Sequence, residues 1–331
     1  MKRKLICTLL CVSMVAAMLL GCESKNKTDD TTKKNDSASK KEVEVKNEGD
    51  PIVLASMSDE ESQIFGEMMK QMLEANGYEV ESSGVGTYNN TTLPRQSLME
   101  GQIDVTMDYT GRGMMFIDGV DESLYQSDLE TAFNTTKEAD EKNGIEWLCY
   151  SPYSNTDGLC VKKDWAEKNN IKDFNDFAKY INNGGEMKIA IATEYSYVAT
   201  SPTCIPGWEE KYGFKLSDNQ LIVGVSEPQN MVSQGTDGIL ACNCYTTGGA
   251  LDALGLYVIE DPKNVSPVYS PALLARKEVS EKYPELKEVM EPMFKAVDAD
   301  KIREMNKKLQ VDGENPADIA AEFLQSEGLI K

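Results

Sequence analysis

Tyr109, Tyr245 and Tyr269 are the residues whose type and setting point to a chemistry. Each follows an apolar run that reads as a strand or a strand entry, and open α/β sheets bind ligands outside the carboxyl ends of their strands. A tyrosine ring is rigid, its face is electronegative, and its hydroxyl can orient a neighbour. Several such faces converging on one point make a cage for a cation with no N–H to donate, each contact contributing about 0.5–2 kcal/mol when desolvated. The chain has 14 tyrosines, and most tyrosines are amphipathic rim or core residues, so spacing alone leaves both readings open.

Composition removes other chemistries. There is no histidine, which excludes Ser-His-Asp and Cys-His nucleophilic systems and His-containing zinc sites. No Gly-rich phosphate loop and no G-x-S-x-G elbow occurs. A hydrolase acting through two carboxylates needs acidic groups about 5–9.5 Å apart, and no Asp or Glu pair stands out from the solvated background. Binding is therefore favoured over catalysis, with no cofactor and no metal implied. The formal net charge is −21, three units more negative once Lys2, Arg3 and Lys4 are removed with a leader, so nucleic acid is not an expected partner. Beyond the leader and Cys22 the cysteines are Cys149, Cys160, Cys204, Cys242 and Cys244. Their number is odd and their spacing lacks the density of a disulfide scaffold, so they read as buried small apolar residues.

The elements that must position the tyrosines alternate between strand and helix. Residues 52–56 read as a buried strand, and Ser58 with Glu61 three residues on reads as a capping box opening a helix. Ile64, Phe65, Met68, Met69, Met72 and Leu73 recur at helical spacing, with Gly77 as the stop. Further strands are expected at 78–81, 103–107, 188–192, 221–225 and 238–243, with helices at 93–100 and from Asp173. Strands separated by helices argue for parallel sheets. The last fifth reads as helices over 284–296 and 301–309 and a third capped by Asn315, with Pro316 at its first position.

The N-terminus gives an address. Basic residues precede an apolar run from Leu5 to Leu20 that stops at Gly21-Cys22, the pattern of a lipoprotein signal peptide over 1–21. The run is short for a membrane span; an uncleaved anchor helix would give the same topology. Cys22 is expected to be lipidated, which holds the protein on the outer face of a bacterial cell membrane. Residues 22–50 are almost wholly polar and read as a disordered tether.

Ser58-Asp59-Glu60-Glu61, Gly101-Gln102-Ile103-Asp104 leading to Tyr109-Thr110-Gly111, Tyr212-Gly213-Phe214, Tyr245-Thr246-Thr247, and Ile259-Glu260-Asp261 followed by Pro267-Val268-Tyr269 stand in an ordered series. In that order and approximate spacing the chain resembles the substrate-binding proteins of osmoprotectant ABC importers, which take up glycine betaine, proline betaine, choline and carnitine. The resemblance covers about 51–331, including Tyr283-Pro284-Glu285-Leu286. It implies an α/β, two-lobed periplasmic-binding-protein fold (type II-like) with the ligand cleft between the lobes. Lobe one would comprise 51–153 plus 267–331 and lobe two 154–266, with crossings near Tyr153 and Val265. It also implies osmoprotection by transmembrane transport, with a quaternary ammonium or cationic solute as ligand and ABC permease subunits as partner.

Carried over residue by residue, the resemblance makes Tyr109, Tyr245 and Tyr269 three of four cage positions and puts Asp157 at the fourth, a carboxylate where the family has a ring. The family's carboxylate clamp falls on Ser201, Met57 and Arg112, so the clamp is missing or rebuilt, with Arg112 the residue able to rebuild it. Asp157 in a pocket would favour a cationic ligand; as a turn residue before Gly158 it would not. Arg112 in a structural ion pair and Glu61 in a capping box are the alternatives to ligand contact. A sensory or adhesive lipoprotein that binds without transport would have the same sequence features.

Overall fold

The computed structural model describes residues 49–331; the leader, Cys22 and most of the tether lie outside the described residues. Among the described residues ten strands form two five-stranded sheets. The first holds β1 (Ile52–Met57), β2 (Val80–Tyr88), β3 (Val105–Tyr109), β4 (Ile145–Tyr150) and β10 (Pro271–Arg276), in the order β2-β1-β3-β10-β4. The second holds β5 (Asp157–Lys162), β6 (Ile189–Ala192), β7 (Leu221–Val225), β8 (Ala241–Tyr245) and β9 (Leu256–Val258), in the order β7-β6-β8-β5-β9.

The two sheets repeat one plan. In each, three parallel strands (β2-β1-β3 and β7-β6-β8) are followed by a strand running against its neighbours. The expected all-parallel arrangement is therefore corrected to mixed sheets. The reversed strands are β5, on which the chain enters the second sheet, and β10, on which it returns to the first. Each comes from the opposite sheet rather than through a covering helix, so no right-handed crossover makes it parallel.

Both faces of the inner strands β1, β3, β10, β5, β6 and β8 are buried along most of their length, which explains their near-continuous apolar runs, whereas the edge strands β2 and β7 are partly exposed. Leu273 and Ala275 of β10 face the main core of the first sheet, while Ala272 and Leu274 face the layer containing Trp147 and Leu98. In β5, Leu159 and Val161 face one core of the second sheet and Cys160 the other. This two-residue alternation also buries Cys149, Cys160, Cys242 and Cys244, while Cys204 is buried at the head of the helix Ile205–Tyr212; all five are free thiols.

The first helix, Glu60–Ala75, lays Ile64, Phe65, Met68, Met69, Met72 and Leu73 against the first sheet. Full burial of each such side chain is worth about 1.5–3 kcal/mol. Its cap differs from the expected Ser58–Glu61 box. Asp59 is the N-cap, and its carboxylate accepts from the backbone N–H of Ser62 at 3.0 Å. Extended backbone at Asp59 puts that oxygen over the first turn, which frees the Glu61 side chain to turn inward. At the other end of the chain, Asn315 caps the helix Pro316–Ser326 by accepting from the Ala317 N–H at 2.8 Å.

Candidate functional site

A cleft of about 920 Å³ is walled by the carboxyl ends of strands from both sheets. Tyr109 is the last residue of β3, Tyr245 the last of β8, and Tyr269 lies two residues before β10. All three line the cleft, as do Met57, Glu61, Arg112 and Asp157. Ser201 is not among the lining residues. Its hydroxyl sits 2.9 Å from that of Thr203, and Thr203 takes the place on the wall.

Glu61 is the most heavily bonded group of the site. It is buried, and its Oε1 accepts from the hydroxyls of Tyr109 at 3.0 Å and Tyr153 at 2.7 Å. Its Oε2 accepts from the side-chain amides of Asn155 and Asn306, both at 3.3 Å. Asn306 also donates to the carbonyl of Thr247 at 2.9 Å. The carboxylate thus links the first helix, the segment between the sheets, the helix Ala299–Gln310 and the loop after β8. Burial, with a smaller contribution from the Asp59 charge, raises the Glu61 carboxyl to about 7, against the opposing hydrogen bonds.

Tyr269 is held from below and beside. Its N–H donates to Ser154 Oγ at 2.9 Å and its carbonyl accepts from the Asn155 N–H at 2.9 Å. A Cβ at Gly111 would lie 2.5 Å from the ring's Cε1, so only glycine lets the backbone approach so closely. The Arg112 guanidinium stands 5.8 Å from the Tyr269 ring centroid, and Arg112 Nε is 3.8 Å from Asp108 Oδ1. Burial raises the Asp108 carboxyl to about 6, with the Arg112 charge opposing.

Asp157 opens β5 as a strand residue, not a turn residue, and is the cross-strand partner of Tyr245. Its Oδ1 accepts from the Tyr197 hydroxyl at 2.9 Å. Burial raises its carboxyl above the usual range. The Tyr195 ring meets the Tyr245 ring edge-on at 5.5 Å and lies 6.3 Å from that of Tyr197. Tyr195 and Tyr197 are cleft residues that sequence reasoning missed, although a signal existed: they follow the apolar run of β6, the rule that singled out Tyr109. Asn306 had no such signal, since it is one polar residue on a helix of polar residues.

Two mixed sheets with an aromatic, acidic cleft at their strand ends define an α/β, two-lobed solute-binding protein. The chain belongs to the OpuAC family, the substrate binding domain of ABC-type glycine betaine transport systems, which residues 50–326 match. Among its relatives is the glycine betaine-binding protein YehZ of Escherichia coli K12, 30% identical over 287 residues, 85% of this chain and 92% of that one. A glycine-betaine-binding protein of Pseudomonas aeruginosa is 27% identical over 82% of this chain and 86% of its own length. The ligand-free structure of the E. coli protein superposes with a TM-score of 0.78 at 29% identity, covering 85% of this chain and all of that one. The chain is thus the substrate-binding component of an ABC importer. No helix among the described residues is long and apolar enough to cross a membrane.

Proposed function

We propose that this chain is the lipid-anchored receptor of an importer for methylated ammonium solutes of the choline or betaine class, seated in a tyrosine cage and handed to a membrane permease. The observation that carries this reading is that Tyr109, Tyr245 and Tyr269, from three separate strand ends, contribute to the wall of one cleft. The E. coli and Pseudomonas relatives, named for glycine betaine binding, support the ligand class.

In this reading lobe one is 51–153 plus 267–331 and lobe two is 154–266, with hinge crossings near Tyr153 and Val265. The chain passes between the sheets after β4 and before β10, as such a partition requires. Closure of the lobes buries the ligand and presents the closed form to the permease. Cys22 carries the lipid that holds the chain at the outer face of the cell membrane. The chain acts by binding and release, not by catalysis.

Calorimetry with choline, glycine betaine and carnitine, paired with thermal melts, tests the reading. A ligand at a hundredfold excess over its dissociation constant stabilises the bound state by about 2.7 kcal/mol, so at least one of the three should raise the melting temperature clearly. No heat and no shift with any methylated ammonium compound would overturn it.

A further inference from the structure

The cleft is strongly one-sided in charge. Among the described residues that line it, Asp59, Glu60, Glu61 and Asp157 are acidic and Arg112 is the one cation. Arg112 already stands beside Asp108 and over the ring of Tyr269. Asp157 is the carboxylate on the second sheet, and no basic side chain pairs with it among the described residues. Its Oδ1 is held by the Tyr197 hydroxyl, while Oδ2 meets only the Cys204 thiol at 3.8 Å.

Asp157 and Tyr245 are direct cross-strand partners, which sets their Cβ atoms about 4.5–5.5 Å apart. A cation resting on the Tyr245 ring therefore lies within a few ångströms of the Asp157 carboxylate. The edge-on contact of Tyr195 with Tyr245 and the nearby ring of Tyr197 fix the aromatic wall around that point. A desolvated carboxylate without a counter-ion is costly, and a bound cation removes that cost. A second carboxylate brought in on the ligand restores the cost as like-charge repulsion.

We propose that Asp157, positioned by the hydroxyl of Tyr197, is a charge filter that makes this cleft select net cations of the methylated ammonium class over zwitterions with the same head group. The proposal rests on the ligand class put forward above and narrows it: choline-type solutes are taken and betaine-type solutes disfavoured. Tyr197 is a positioning residue, acting on the ligand's charge through Asp157.

The test is calorimetry on the full extracytoplasmic chain with tetramethylammonium, choline and glycine betaine. Choline should bind at least tenfold more tightly than glycine betaine, a difference of about 1.4 kcal/mol. Asp157→Asn should bring the two within about threefold, mainly by weakening choline. Tyr197→Phe, which keeps the ring and loses the hydroxyl, should narrow the ratio in the same direction and serves if Asp157→Asn folds poorly by circular dichroism. Glycine betaine binding as tightly as choline, or a ratio unchanged in both variants, would overturn the filter while leaving the ligand class intact. Failure of all three compounds to bind would overturn the ligand class, and the filter with it.

Discussion

The hydroxyl of Tyr153 donates to Oε1 of Glu61 at 2.7 Å, tying the first turn of the first helix to the segment where the chain leaves the first sheet. The Tyr109 hydroxyl joins the same oxygen from the end of β3. Tyr109 in the cleft wall and the inter-sheet segment therefore share one buried carboxylate, whose ionisation affects both.

Stability should respond to pH through that group. Glu61 has a raised carboxyl, near 7 in the folded chain against an ordinary 4.5. A raised pKa means that the folded state binds the proton more tightly, so its contribution is fully present below about 4.5 and is lost as pH rises through about 7. Relative to Glu61→Gln, the unaltered protein should lose stability between pH 5 and 8, by an amount on the order of 3 kcal/mol at most. Urea denaturation of both proteins at the two pH values measures this, and parallel curves would rule it out.

The rings and hydroxyls of the cage should separate by substitution. Tyr245→Ala should weaken a methylated ammonium ligand by about 0.5–2 kcal/mol, whereas Tyr245→Phe should cost little because the ring face remains. Tyr109→Phe should lower stability by about 1 kcal/mol, since its hydroxyl serves Glu61. Calorimetry and thermal melts on the three variants read these effects; equal affinity losses for Ala and Phe at 245 would contradict the cage.

Gly111→Ala should damage the site without touching a charged group. The new methyl would meet the Tyr269 ring at 2.5–2.7 Å, so the ring or the turn after β3 must shift, at a cost of about 1–3 kcal/mol. A drop in both melting temperature and ligand affinity is expected, and an unchanged affinity would place Tyr269 outside the contact.

The helix cap gives a local check. Asp59→Ala should destabilise by about 1 kcal/mol through loss of the bond to the Ser62 N–H. Ser58→Ala should fall within a few tenths of the parent, as its side chain caps nothing. Chemical denaturation of the pair distinguishes this cap from the Ser58–Glu61 box.

Membrane attachment should depend on Cys22. In a bacterial host, Cys22→Ser should leave the protein unprocessed or release it from the membrane fraction, because in the proposed reading a lipid rather than the apolar run is the lasting anchor. Fractionation and mass measurement of the N-terminus decide the matter; a membrane-bound Cys22→Ser protein cleaved elsewhere would refute it.

Much of the architecture was legible in the chain because period and punctuation are local signals. The strand 221–225 and the Asn315 cap with Pro316 were readable from a few neighbouring residues. So was the apolar stripe of the first helix. Tyr109 and Tyr245 could be singled out because each ends a strand whose direction says which end faces a cleft, whereas Tyr269 lines the cleft from before the amino end of the reversed strand β10.

The reversed strands β5 and β10, the inward turn of Glu61 and the place of Asp157 were decided by tertiary structure. Asp157 reads locally as a turn residue before glycine, yet pairing with Tyr245 makes it the first residue of a strand. Glu61 sits three residues after a serine and so matches a capping box, yet Asp59 takes the cap and the hydroxyls of Tyr109 and Tyr153 draw its carboxylate into the interior. Those partners lie 48 and 92 residues away along the chain. Local patterning records which face of an element is apolar, because burial acts on each side chain separately. It does not record which polar groups meet, because a buried hydrogen bond depends on two positions that only the folded backbone brings together.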